Sequence, residues 1–172
     1  MKITKLETFL VKPRWLFLKM HTDEGIVGLG EPIVEGRAHT VATAVAEIEP
    51  YLVGKDPTRV MHHWQAIYKH AFYRGGPVLT SALSGVEHAL WDITGKAMGV
   101  PVYKLMGGPL RDRIKIYAHV RGNTVEEQIA HINAQKAQGF RAFKTGPRTA
   151  DGRSAQRIIE TPAFVDAVVE RF

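Results

Sequence analysis

Cysteine is absent from the 172-residue chain. That excludes disulfide frameworks, cysteine nucleophiles and thiolate metal sites. It fits a reducing compartment, so a cytoplasmic location is expected. Long apolar runs are absent too. None approaches the roughly 20 residues needed to span a bilayer, so no membrane partner is expected. The opening Met1-Lys2-Ile3-Thr4-Lys5-Leu6-Glu7 has no apolar core of a secretory signal. Concentrated charge is the third absence. The net charge is +6, but Lys and Arg are spread along the chain, with no basic block interleaved with aromatics. Nucleic acid is therefore not expected as a partner. A small anionic substrate, or a bias from an incomplete chain, accounts better for the surplus. What is present is ordinary for a folded protein: 45% hydrophobic and 23% charged residues, which argues against disorder.

Residues 2–32 read as strands. Ile3, Leu6, Phe9 and Val11 lie in a β-rich run that stops at Pro13. Trp15 to Thr22 is a second run and Ile26 to Glu31 a third, stopped by Pro32. Asp23-Glu24-Gly25 between the last two is a tight turn, so the three runs predict an antiparallel meander. The apolar period then becomes helical: Val41, Ala44, Val45, Ile48 and Leu52 predict a helix over 38–52. A second helix is predicted to start with Asp56 as cap and Pro57 in its first turn, carrying Val60, Trp64, Ile67, Tyr68 and Ala71. Gly75-Gly76-Pro77 breaks it. A long helix follows from about Val78 to Met98, stopped by Gly99 and Pro101, and a short helical turn runs from Pro101 to Leu105.

After Arg111 the pattern changes again. Ile114 to Val120 reads as a strand. Thr124 caps a helix through Gln138, with Glu127 completing a capping box, and Arg141 to Lys144 reads as the next strand. Strand, helix and strand with short links predict a parallel pair. A polar loop over 145–157 leads to a last helix opened by Thr161-Pro162, with Phe164, Val165, Val168, Val169 and Phe172 on one face. Such a face needs a partner. Only about 60 residues follow Arg111, against roughly 250 for a complete (β/α)₈ barrel. A truncated chain is the expectation.

The stretch SALSGVEHALWDITGKAMGVPVYKLMGG, Ser81 to Gly108, resembles the long helix and following turn of the mandelate racemase subgroup of the enolase superfamily. Its small residues Ala82, Ser84, Gly85 and Ala89 allow close helix packing, and Glu87, Asp92 and Lys96 stand at spacings that family uses. PRWLFLKMHTDEGIVGLGEP and AFYRGGPVLTSALSG are most similar to galactonate dehydratases and related acid-sugar dehydratases. The resemblance covers about the first 145 residues and weakens after Pro147. It implies an α+β N-terminal capping domain over 1–111, a three-stranded antiparallel meander plus helices, followed over 112–172 by the first βα units of a truncated TIM-type barrel. It further implies a Mg²⁺-dependent hydro-lyase that removes water from an aldonic acid to give a 2-keto-3-deoxy acid. The whole protein would be a homo-oligomer. In that family the three metal-binding carboxylates and the catalytic histidines lie on later strands, which places them beyond Phe172. No catalytic or metal residue is thus expected in this chain, and the chain alone is expected to be inactive. Mannonate or gluconate as the acid sugar, or a non-catalytic fragment that pairs through its unfinished sheet edge, stay open as alternatives.

The resemblance implies five substrate-binding residues. Lys144 aligns with the first lysine of the Lys-x-Lys motif that ends the second barrel strand, and catalysis in barrels sits at such strand ends. Gly146 replaces the second lysine, which disfavours a lysine-based racemase and leaves room for a dehydratase. The plain alternative is a solvated strand-end lysine. Arg14, Trp15, Tyr73 and Arg74 lie on the loops that the resemblance sets over a barrel mouth, where guanidinium forks suit a carboxylate or polyol. Their plain alternative is aromatic packing with solvated arginines. Glu87, Asp92 and Lys96 read as helix ion pairs and contacts between cap and barrel, and Trp91 as core.

Other signals fail on inspection. His62, His63 and His70 lack an HExxH frame or a third ligand, so zinc is not expected. His119 ends a strand but has no evident partner in the sequence. GLGEP lacks the third glycine and following helix of a dinucleotide loop, and reads as a strand-end turn. Gly95-Lys96 is followed by Ala97 where a phosphate loop needs Ser or Thr.

Overall fold

The computed structural model describes residues 1–12 and 14–145. The loop from Gly146 and the helix expected after Thr161 lie outside the described residues. The chain divides into a first compact unit, Met1–Leu110, and a second that begins at Arg111.

The first unit opens with β1 (Ile3–Val11), β2 (Trp15–Thr22) and β3 (Val27–Gly30), an antiparallel sheet in the order β1-β2-β3. Phe9 pairs with Phe17 and Leu10 with Leu16, while Met20 pairs with Gly28. Alternation on β2 sends Leu16, Leu18 and Met20 into the core and leaves Trp15, Phe17 and Lys19 exposed. Helices α1 (Ala38–Leu52), α2 (Val60–Lys69), α3 (Gly76–Met98) and α4 (Val102–Leu105) follow. Val41, Val45 and Leu52 of α1 join Val86, Leu90 and Ile93 of α3 and the inner sheet face in one core.

The close approach of α3 to β3 is set by glycines. A Cβ at Gly30 would overlap the Gly85 carbonyl oxygen, one at Gly28 the Ala89 carbonyl, and one at Gly85 the ring of Pro32. The glycines of GLGEP thus lie within β3 and serve helix packing. They are not a strand-end turn as the sequence implied, and they do not form a phosphate loop. Gly99 ends α3 in the left-handed conformation at φ 66°, as its position predicted.

Two boundaries differ from expectation. Helix α2 starts at Val60, because Asp56 caps a turn ahead of it: its Oδ1 accepts from the Thr58 backbone N–H at 2.9 Å and from the Thr58 hydroxyl at 2.8 Å. The helix ends at Lys69, so Ala71 lies outside it. The long helix begins two residues early, at Gly76, with Pro77 in its first turn.

In the second unit, α5 (Val125–Ala137) joins β4 (Ala118–His119) to β5 (Phe143–Lys144) as a parallel pair. The expected strand over Ile114–Val120 contracts to two residues, and Arg141–Lys144 likewise. Ile114 and Ile116 stand exposed ahead of β4, with no partner strand among the described residues to extend the ladder. The Thr124 hydroxyl accepts from the Glu127 N–H at 3.2 Å, as a cap should. Glu127 returns its carboxylate to the Asn123 N–H at 2.6 Å, one residue before the usual capping-box donor.

Candidate functional site

The five residues singled out in the sequence fall into three groups. Arg14 and Trp15 stand together at the β1–β2 turn. The Arg14 guanidinium lies 5.3 Å from the Trp15 ring centroid and 3.1 Å from a Glu35 carboxylate oxygen. Trp15 stacks on Phe17 at 6.4 Å. Both members of the Arg14–Glu35 pair are exposed, so the pair contributes little to stability, about 0–1 kcal/mol, while orienting the guanidinium.

Tyr73 and Arg74 occupy the turn between α2 and α3. Tyr73 is 85% exposed and packs edge-on against the equally open Phe72, so it is not a core aromatic. Arg74 donates from Nε to the Ala71 carbonyl at 3.0 Å. The two line a cavity of about 420 Å³ walled by Ile48 and Tyr51 of α1, Ile67 of α2, and Leu79 and Leu83 of α3, with Glu47 and His70 among its polar groups. That volume lies within the range of small-molecule sites. Arg14 and Trp15 are not among its walls.

Lys144 ends β5 in the second unit. Its Nζ lies 5.8 Å from the Tyr117 ring centroid, a cation–π contact, and its register partner across the ladder is His119. The parallel pair is legible in the sequence but its register is not, because register depends on the crossover geometry rather than on local residue type. The Tyr117 and His119 rings are 5.5 Å apart. Behind them, Gln128 is buried on α5. Its Oε1 accepts from the Thr145 hydroxyl at 2.9 Å and its Nε2 donates to the Gly122 carbonyl at 3.3 Å, tying the loop after β4 and the residue after β5 to one helix. A lone glutamine in a helical first turn carries no sequence signal of such a clasp.

The remaining polar candidates take structural roles. Asp92 accepts from the Leu29 N–H at 2.8 Å and from Lys96 Nζ at 2.8 Å, and Lys96 also donates to the Val27 carbonyl at 2.7 Å. This ion pair therefore covers the outer edge of β3. Glu87 accepts from the Trp91 indole at 3.2 Å. His63 is buried, with Nε2 2.8 Å from the Asp56 carbonyl and Nδ1 3.0 Å from the Tyr51 hydroxyl. A nitrogen facing a carbonyl must carry the proton, so Nδ1 accepts and Tyr51 donates. Burial lowers the His63 pKa and raises that of Tyr51. Among the described residues no group of three His, Asp or Glu side chains could hold a metal ion, so they do not fit an Mg²⁺ centre. None of the described helices is long and apolar enough to cross a membrane.

The model of the mandelate racemase / muconate lactonizing enzyme N-terminal domain matches residues 7–107. The chain belongs to that family. The match lies within the first compact unit and runs from β1 through the turn after α4. The chain is similar to a D-galactonate dehydratase of Pectobacterium atrosepticum, 52% identical over 98% of this chain and 43% of the relative. It is also similar to one of Ralstonia pickettii, 50% identical over 99% of this chain and 44% of the relative. The chain thus spans less than half the length of these curated relatives. Among solved structures, an enolase from Pantoea ananatis with bound D-gluconate and Mg superposes with a TM-score of 0.79 at 38% identity, over 84% of this chain and 37% of that one. An enolase from Agrobacterium radiobacter with bound Na and L-malate gives 0.83 at 29% identity, over 99% and 45%. The architecture of this mandelate racemase-type chain is therefore the α+β cap followed by the opening of a β/α unit.

Proposed function

We propose that this chain supplies the capping domain and the first strand–helix–strand unit of a Mg²⁺-dependent acid-sugar dehydratase acting on D-galactonate. The observation that carries this is the 50–52% identity to D-galactonate dehydratases along 98–99% of the chain. The reaction removes water from an aldonate to give a 2-keto-3-deoxy acid. We assign Mg²⁺, the base and the acid to the part of the enzyme that this chain does not cover. Bound there, the cation would supply Lewis-acid stabilisation to the substrate carboxylate.

The residues of this chain bind and orient. The Lys144 ammonium holds a carboxylate as a point charge, and Arg14 and Arg74 offer forked donors to carboxylate or hydroxyl. Trp15 and Tyr73 provide apolar bodies for the C–H face of the sugar chain, each with a polar tip. Gly146, in place of a second lysine, leaves no lysine base two residues after Lys144. D-Gluconate is the second reading, favoured by the ligand of the Pantoea ananatis neighbour. A homo-oligomer and a cytoplasmic location complete the proposal.

The test joins this full chain to the C-terminal remainder of the Pectobacterium atrosepticum relative. The chimera is assayed with Mg²⁺ on D-galactonate, D-gluconate and D-mannonate. Turnover of D-galactonate above the other two is expected. A folded chimera that dehydrates none of them would overturn the proposal, and preference for gluconate would select the second reading. The 172-residue chain alone is expected to give no turnover under the same conditions. Sustained activity from pure chain would refute the assignment of base and acid elsewhere. Light scattering on the active chimera reads the oligomeric state.

A further inference from the structure

Tyr117, His119 and Lys144 share one face of the β4–β5 pair. Ala118 is buried, while Tyr117 and His119 on either side of it are exposed, so the two latter point to the opposite face. Lys144 is the register partner of His119 and lies on that same face. One phenol ring lies beside both nitrogen-bearing groups, 5.8 Å from the Lys144 ammonium and 5.5 Å from the His119 ring. Among the described residues neither His119 nor Lys144 is paired with a carboxylate.

Their backbone positions are fixed. The Val120 N–H donates to the Lys144 carbonyl at 2.9 Å, and the buried Gln128 holds Thr145, the residue that follows β5. Two polar side chains of different chemistry are thus held at adjacent strand ends. An ammonium attracts a carboxylate. An imidazole both donates and accepts, which suits a hydroxyl. The pair together matches a hydroxy acid better than a simple carboxylate or a neutral polyol.

We propose that His119 is a further substrate-binding residue, which seats a hydroxyl of the acid sugar beside the carboxylate held by Lys144 and so helps determine specificity. This rests on the assignment of Lys144 to the substrate site made above. The test uses the active chimera with His119→Phe, His119→Gln and His119→Asn, each checked for folding by its melting temperature. Loss of one such hydrogen bond predicts about a tenfold rise in KM for D-galactonate in His119→Phe, with kcat within about threefold. His119→Gln keeps a donor at similar reach and is expected to recover most of that rise. His119→Asn is shorter and is not. A merely structural role would leave KM alone or move Gln and Phe together. If His119→Phe does not fold, the contrast between Gln and Asn carries the test. A folded His119→Phe with KM unchanged, in a parent that turns over, overturns this inference alone. An inactive folded parent removes the dehydratase proposal and this inference with it.

Discussion

His63 illustrates at the residue scale how a plausible metal ligand becomes a packing element. Both ring nitrogens are engaged, one by the Asp56 carbonyl and one by the Tyr51 hydroxyl, and the ring is removed from water. Burial depresses its pKa in the folded chain. The unfolded chain, with an ordinary value near 6.5, then takes up the proton first. The stabilisation is therefore fully present above about pH 6.5 and is lost as the pH falls below it. We predict a lower urea midpoint at pH 5.5 than at pH 7.5, with the difference reduced in His63→Gln. A midpoint that does not change between the two would contradict it. Glu7 and Asp56 also have lowered pKa values, through hydrogen bonds from Lys5 and from the Thr58 backbone respectively, but their contribution is lost only in the carboxylate range at lower pH. The sequence argues against zinc, because no HExxH frame or third ligand accompanies the histidines. It does not reveal that His63 would be buried, because both its partners are reached through the fold rather than along the helix.

At the scale of elements, period and punctuation located most of the first unit. The meander, the helix at 38–52 and the stop at Gly99 were legible because alternation, 3.6-residue spacing and a left-handed glycine each act within a few residues. Asp56 misled because a short acceptor can cap a turn as readily as a helix, and it was taken by Thr58. The β4 and β5 strands are shorter than local residue type implies, because ladder length depends on a partner. The glycines of β3 read in the sequence as a strand-end turn, but their purpose is a tertiary one. Gly30→Ala would drive a methyl into the Gly85 carbonyl and push α3 off the sheet. The expected loss is about 3 kcal/mol, at the upper end for overpacking. Chemical denaturation checks it, and a loss below about 1 kcal/mol would mean that α3 yields without cost. The same helix guards the β3 edge, where Asp92 and Lys96 occupy a backbone donor and acceptor that could otherwise pair with another chain.

At the scale of the whole molecule the chain has two compact units, and the segment that joins them along the chain is open: Leu110 is 95% exposed and Arg111 and Arg113 are exposed. Exposed backbone with few contacts is cut first. Limited trypsin digestion is expected to cleave after Arg111 or Arg113 and leave a resistant fragment of about the first 110 residues. Simultaneous loss of that fragment and the remainder would contradict the division. The five predicted site residues separate accordingly, with Arg14 and Trp15 at one turn, Tyr73 and Arg74 beside a cavity, and Lys144 in the other unit. The sequence by itself determined most of the element types and carried the resemblance to the family, since these follow from local propensity and from stretches read along the chain. Only the tertiary structure decided that His119 stands beside Lys144, that Gln128 joins Gly122 to Thr145 and that His63 is sealed between Tyr51 and Asp56. Each of those joins residues through strand register or burial, and neither is encoded in the spacing of residues along the chain.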